Sequence, residues 1–129
     1  MEQTKDKSIG LLGLARKAGK LETGEETVGS LLLQKRARLT VLAADAGAAV
    51  ARKMRGLAEG TRQRVLELPY GKEALGAALG KQSVSVAAFS DVSMALAFVK
   101  ALPEGLADGE LLDDLERRVA RVKAKRKKN

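Results

Sequence analysis

Three short apolar runs constrain this chain most: Leu39 to Ala44, Val65 to Leu68 and Val84 to Phe89. Each has strand length, and a stretch long enough for one helix separates it from the next. The first run is apolar apart from Thr40, as expected of a strand covered on both faces. Pro69 closes the second. Between the runs the apolar residues follow a helical period. From Ala46 to about Ala58, Val50, Met54 and Leu57 share one side, while Arg52, Lys53 and Arg55 take the other. Lys72 to Leu79 reads as a short helix bounded by Gly71 and Gly80. Asp91 is placed to cap a helix that runs to about Leu102 and stops before Pro103. Strands alternating with helices at this spacing predict a three-layer α/β/α sandwich.

The N-terminal third extends the pattern. Ser8 is expected to cap a first helix carrying Ile9, Leu12 and Ala15 on one side and Leu11, Leu14 and Ala18 beside them, with Gly19 as its stop. Lys20-Leu21-Glu22 reads as a short strand. Thr23-Gly24-Glu25-Glu26 fits a capping box in which Thr23 caps and Glu26 reaches back. Val28, Leu31 and Leu32 mark the buried stripe of the helix that follows. At the other end, Leu111, Leu115, Val119 and Val122 keep helical spacing, and Asp113–Arg117 and Asp114–Arg118 are spaced as favourable pairs. Residues 103–129 are therefore expected to form an appended helix that frays from Lys123, beyond a domain spanning 8–102.

Composition closes most catalytic routes. The 129 residues include no Cys and no His, which removes disulfides, thiolate metal sites and the commonest general base. No metal and no cofactor is expected. No apolar run approaches the ~18 residues of a membrane span. The opening Met1-Glu2-Gln3-Thr4-Lys5-Asp6-Lys7 lacks the apolar region of a signal peptide, so the cytoplasm is the expected location. The net charge of +8 is arranged in blocks. Residues 117–129 hold eight bases and no acid, residues 104–116 hold six acids and no base, and residues 8–103 carry 14 bases against 8 acids. Such a balance favours polyanions, above all nucleic acid. A solubilising surface would also account for it.

The Gly-Lys pairs at Gly19, Gly71 and Gly80 lack the rest of a phosphate loop and read as helix stops. Glu25 and Glu26 diverge by about 100° on a helix and do not converge on one atom. Asp45 follows a strand, where a helix cap is the plainer role. One feature does suit a polyanion. Arg16, Lys17 and Lys20 lie close in sequence to the helix start at Gly24, whose free N–H groups and dipole attract anions. Lys35, Arg36 and Arg38 follow the same helix at its far end, where cations offset the dipole. With two Phe and one Tyr, the chain has almost no surface on which to stack bases. Reading a folded RNA by backbone and shape is more consistent with this composition. The terminal Lys123, Lys125, Arg126, Lys127 and Lys128 are expected to add a sequence-blind electrostatic grip.

The order of elements resembles the kink-turn-binding ribosomal protein superfamily, and within it the bacterial YlxQ-like branch. The resemblance is carried by Leu11-Leu12-Gly13-Leu14-Ala15, Gly24-Glu25-Glu26, Leu39 to Asp45, Leu68-Pro69-Tyr70, Leu75-Gly76 with Gly80-Lys81, and Val86 to Asp91. It implies an α/β/α sandwich around a mixed four-stranded sheet, RNA binding without catalysis, and a link to ribosomes or translation. The family reads sharply bent RNA with G-x-N-E-x-x-K at the start of its second helix. Placed here, the Gly falls on Gly24, the Asn on Glu26, the Glu on Thr27 and the Lys on Ser30, so only the glycine matches. The resemblance also implies a second RNA-facing loop after the last strand, at Phe89, Ser90, Asp91, Val92 and Ser93. The expected site thus comprises Arg16, Lys17, Lys20, Thr23 to Thr27, Ser30 and that loop. The expected partner is structured RNA, ribosomal or kink-turn-like, bound by a monomer. The alternative is a protein-interaction scaffold of the same fold that has lost RNA reading.

Overall fold

In the computed structural model, which describes residues 6–128, the first helix α1 (Lys7–Lys17) starts one residue earlier than Ser8. Asp6 is the cap. Its carboxylate accepts from the Ser8 N–H at 3.0 Å and from the Ser8 hydroxyl at 2.6 Å, and it also accepts from the Tyr70 hydroxyl. Ser8 itself is buried. A carboxylate reaches farther than a serine hydroxyl and interacts better with a helix N-terminus, so Asp6 takes the role that local sequence assigns to Ser8. Gly19, at φ +73°, follows the helix end in the left-handed region.

This cluster makes folding stability sensitive to acid. Burial pushes the Asp6 carboxyl up, but the hydrogen bonds from Ser8 and Tyr70 outweigh it and hold the group below its ordinary 3.8. A depressed folded-state pKa contributes stability that is present above the unfolded value and lost as pH falls through the folded one. We therefore expect Asp6→Ala to cost about 1 kcal/mol at neutral pH, the typical value of a lost cap. The difference from wild type should shrink as pH drops below about 4 in urea titrations. A gap that stays constant from neutral to strongly acidic pH would contradict this.

The remaining elements are β1 (Leu21–Thr23), α2 (Glu25–Leu33), β2 (Leu39–Leu42), α3 (Ala48–Ala58), β3 (Val65–Glu67), α4 (Lys72–Ala78), β4 (Val86–Phe89), α5 (Val92–Ala101) and α6 (Gly109–Lys128). The sheet order is β1-β4-β2-β3. β2 and β3 run parallel, and β4 runs antiparallel to both of its neighbours. The two central strands explain the apolar runs, since every residue of β2 and β4 is buried. Leu39, Val41, Ala87 and Phe89 point to one face, where α1, α4, α5 and α6 supply Leu12, Leu75, Phe98 and Leu115. Leu42, Val86 and Ala88 point to the other, against Val28 and Leu32 of α2 and Met54 of α3. The mixed four-stranded sheet with helices on both faces is the α/β architecture expected.

The C-terminal extension is a helix that packs on this body. Leu111, Leu115 and Val119 are buried in the larger core, and α6 lies along α5. The helix continues to Lys128, past the Lys123 where fraying was expected. Asp114 pairs with Arg118 at 3.2 Å, and Arg117 turns to Asp114 at 3.8 Å. The side chains of Lys127 and Lys128, like residues 1–5, lie outside what is described. Among the described residues, no helix is long and apolar enough to cross a membrane.

Candidate nucleic-acid interface

The register of β1 against β4 decides which parts of the chain meet. Leu21 lies opposite Phe89 and Thr23 opposite Ala87. The ladder then continues one step, because the Gly24 N–H donates to the Val86 carbonyl at 3.0 Å. Gly24 therefore sits at the start of β4, and Lys20 sits at its end, where the Ser90 N–H donates to the Lys20 carbonyl at 3.0 Å. Gly24 lies four extended steps beyond Lys20, about 13 Å.

This geometry corrects three sequence expectations. First, Thr23 does not cap α2. It is held in the strand ladder, so the cap position falls on Gly24, which has no side chain to offer. Second, Arg16, Lys17 and Lys20 do not flank the glycine corner. They gather at the opposite end of β1, where the Lys20 ammonium meets Asp91 at 3.6 Å. Third, the segment after β4 is also at that far end, and half of it faces inward. Phe89 is fully buried, its ring 5.2 Å from that of Phe98, and Val92 is buried too. Asp91 accepts from the Met94 N–H at 2.9 Å, the α5 cap that the sequence suggested. The loop that does lie beside Gly24 is the one preceding β4. Lys81, Ser83, Val84 and Ser85 line a recess of about 310 Å³ together with Thr23, Gly24, Glu25 and Val50.

At the corner, Gly24 adopts φ +99° and ψ 147°. That conformation is close to glycine-only. Among the described residues nothing lies within 4 Å of where a Cβ would stand, so the space in front of the corner is open. The first turn of α2 lacks a side-chain cap, which leaves its leading N–H groups turned toward that space. Glu25 is drawn sideways to Lys53 of α3 at 3.1 Å, while Glu26 and Thr27 remain exposed on the mouth. Ser30 is exposed one turn further on, accepting from the Gln34 amide at 3.1 Å. The neighbouring α3 starts on a second bare glycine, Gly47, at φ +95° and ψ 144°. Asp45 closes the start of α4 by accepting from the Lys72 N–H at 2.7 Å. Three helices thus begin at this end of the sheet. Among the described residues, no cluster of three or more His, Cys, Asp or Glu could hold a metal ion.

This is the fold and connectivity of a ribosomal-protein-like α/β module, and a family model confirms it. Residues 6–97 match the Ribosomal protein L7Ae/L30e/S12e/Gadd45 family, and the chain belongs to that family. No curated protein matches it. Among solved structures, a protein of unknown function from Bacillus halodurans is similar at a TM-score of 0.70 and 28% identity, over 75% of this chain and 97% of that one. A 15.5kD RNA binding protein from Giardia lamblia shares the fold at a TM-score of 0.57 and 17% identity, over 84% of each chain. The family match ends within α5, so α6 lies beyond it.

Proposed function

We propose that this chain is a non-enzymatic RNA-binding protein that holds the backbone of a folded RNA at the Gly24 end of its sheet. Membership of a family that includes ribosomal proteins supports the class of partner, as does the RNA-binding name of one structural neighbour. The single observation that carries the reading is the uncapped mouth of α2. Its N–H groups face open space at a glycine without a Cβ, beside Lys81, Ser83 and Ser85. Backbone N–H groups and a helix dipole stabilise a phosphate, and Lys81 supplies a counter-charge. The target is a sharply bent, kink-turn-like or ribosomal RNA element, bound by a monomer in the cytoplasm in association with translation.

Glu26 tunes the choice of RNA. An asparagine there could donate to a guanine edge, whereas a carboxylate accepts only and repels phosphate. Thr27 is too short to replace a glutamate, and Ser30 carries no charge for a phosphate. A standard kink turn is accordingly a weak ligand.

The test is fluorescence anisotropy with a labelled kink-turn hairpin and with bacterial ribosomal RNA. Lys81→Gln should weaken binding of the preferred RNA about fivefold and flatten the salt slope by ~0.9. Glu26→Asn should tighten kink-turn binding about tenfold, the equivalent of ~1.4 kcal/mol. If neither variant changes any RNA affinity, the corner is not the RNA site, and the scaffold reading becomes the better one.

A further inference from the structure

The end of the sheet opposite Gly24 holds a cleft whose second wall is α6, the helix beyond the family match. It is built where α6 crosses the loops before β2 and β3, and has a volume of about 520 Å³. Lys35, Arg38 and Arg62 line one side, and Arg118, Arg121 and Lys125 of α6 line the other. No acidic residue lines it among the described residues.

We propose that this cleft is a second RNA-binding site, taking the phosphodiester backbone of a strand or duplex edge. Concentrating like charge in one concavity raises the energy of the folded chain through self-repulsion, and a bound polyanion removes that penalty. The cations are positioned rather than scattered. Arg118 is anchored: it pairs with Asp114 at 3.2 Å and donates to the Arg62 carbonyl. The loop beneath is fixed by the buried Gln63, whose amide donates to the Leu32 carbonyl at 2.9 Å and accepts from the Ala37 N–H at 3.0 Å. Lys35 occupies the left-handed region at φ +59°, a conformation uncommon for a residue with a side chain. Lys35, Arg38, Arg62, Arg121 and Lys125 form no ion pair among the described residues.

The shape selects the ligand. Arg118, Arg121 and Lys125 fall at i, i+3 and i+7, a row on one helix face about 10 Å long. A row of three cations with three more across the cleft suits a linear polyanion better than a point anion. Among the described residues no aromatic side chain lines the cleft to stack a base, so the contact reads backbone and not sequence. The two sites lie at opposite ends of α2, and its nine residues span about 13 Å. One folded RNA can engage both. The cleft rests on the preceding reading only for the class of ligand, since no residue is shared.

The absence of cysteine gives a direct test. Iron–EDTA tethered to Gln34→Cys, beside the cleft, and separately to Ser83→Cys, beside the corner, cleaves nearby strands of bound bacterial ribosomal RNA. We expect two distinct sets of cuts. Cuts from Ser83→Cys alone overturn the cleft and leave the corner standing. Cuts from Gln34→Cys alone do the reverse, and cuts from neither overturn both. In parallel, the full chain carrying Arg62→Gln and Arg121→Gln should bind that RNA about tenfold more weakly, with a salt slope reduced by about 2. The charge-matched Lys7→Gln/Lys100→Gln chain should not. Equal losses in the two double variants would mean that only net charge matters, and would overturn the site.

Discussion

Leu115→Ala will destabilise the whole domain by about 2–5 kcal/mol, the range for emptying a sealed leucine site. Leu115 is fully buried, in the same apolar cluster as Phe89, Phe98 and Leu12. Its neighbours on the same face of α6, Leu111 and Val119, are also buried. The ion pairs along this helix cannot compensate. Arg64–Asp114 is long at 3.8 Å, and Lys100–Glu116 at 3.6 Å is largely solvated, so neither contributes much. Burial therefore holds α6, and removing its central side chain should loosen the helix before the sheet opens. The expected signature in urea is a lower midpoint, and hydrogen exchange should show α6 amides losing protection most. RNA affinity should fall as well, because Arg118, Arg121 and Lys125 are carried on the loosened helix. A loss below about 0.5 kcal/mol would be ordinary for a surface change. It would mean that α6 is an appendage and that the cleft is not a stable structure.

How much of this was legible in the sequence depends on whether the signal is local. The strands that became β2 and β4 announced themselves because sheet residues covered on both faces must be apolar. Asp91 announced α5 because a cap acts within its own turn. The α/β class and the family followed from such signals. Failures occurred where a distant partner decided the outcome. Thr23 looked like a cap, but pairing with β4 holds it in the ladder and moves the helix start to Gly24. Ser8 lost its role to Asp6 because Tyr70, 64 positions away, secures that carboxylate. The cations at Arg16, Lys17 and Lys20 were near Gly24 in sequence only. Strand direction sends them to the far end, and it brings Lys81 in their place. Gly80-Lys81 was visible, yet nothing local distinguishes a helix stop from a loop that flanks a site. The cleft was illegible for the same reason. Lys35 and Arg38 read as dipole partners and the terminal cations as a sequence-blind grip on a fraying helix until the packing of α6 joined them.

Gly76→Ala is expected to cost about 2 kcal/mol and to damage RNA binding at the corner without touching it. Gly76 is buried in α4, and a Cβ there would stand 2.7 Å from the carbonyl oxygens of both Lys81 and Gln82. These are backbone atoms, which cannot swing aside as a flexible side chain can. Alanine would gain about 1 kcal/mol of helix propensity. Overpacking against backbone costs typically 1–3 kcal/mol and sometimes more, so the clash outweighs the gain. The strain falls on the loop that folds back over α4, where the Lys81 N–H donates to the Gly76 carbonyl at 2.8 Å. Relief requires the segment from Lys81 to Ser85 to move, and that segment forms one wall of the recess beside Gly24. Two readouts should therefore shift together: a lower urea midpoint, and weaker RNA binding at concentrations where the variant is fully folded. Gly10→Ala is the control. Gly10 lies within α1, and among the described residues nothing beyond the helix itself stands within 4 Å of where its methyl group would be, so alanine should gain helix propensity without moving the loop. If Gly76→Ala proves as stable as Gly10→Ala, the packing of α4 against this loop is looser than the distances require. If stability falls while RNA affinity holds, the loop before β4 is not part of the interface, and the phosphate contact must rest on the mouth of α2 alone.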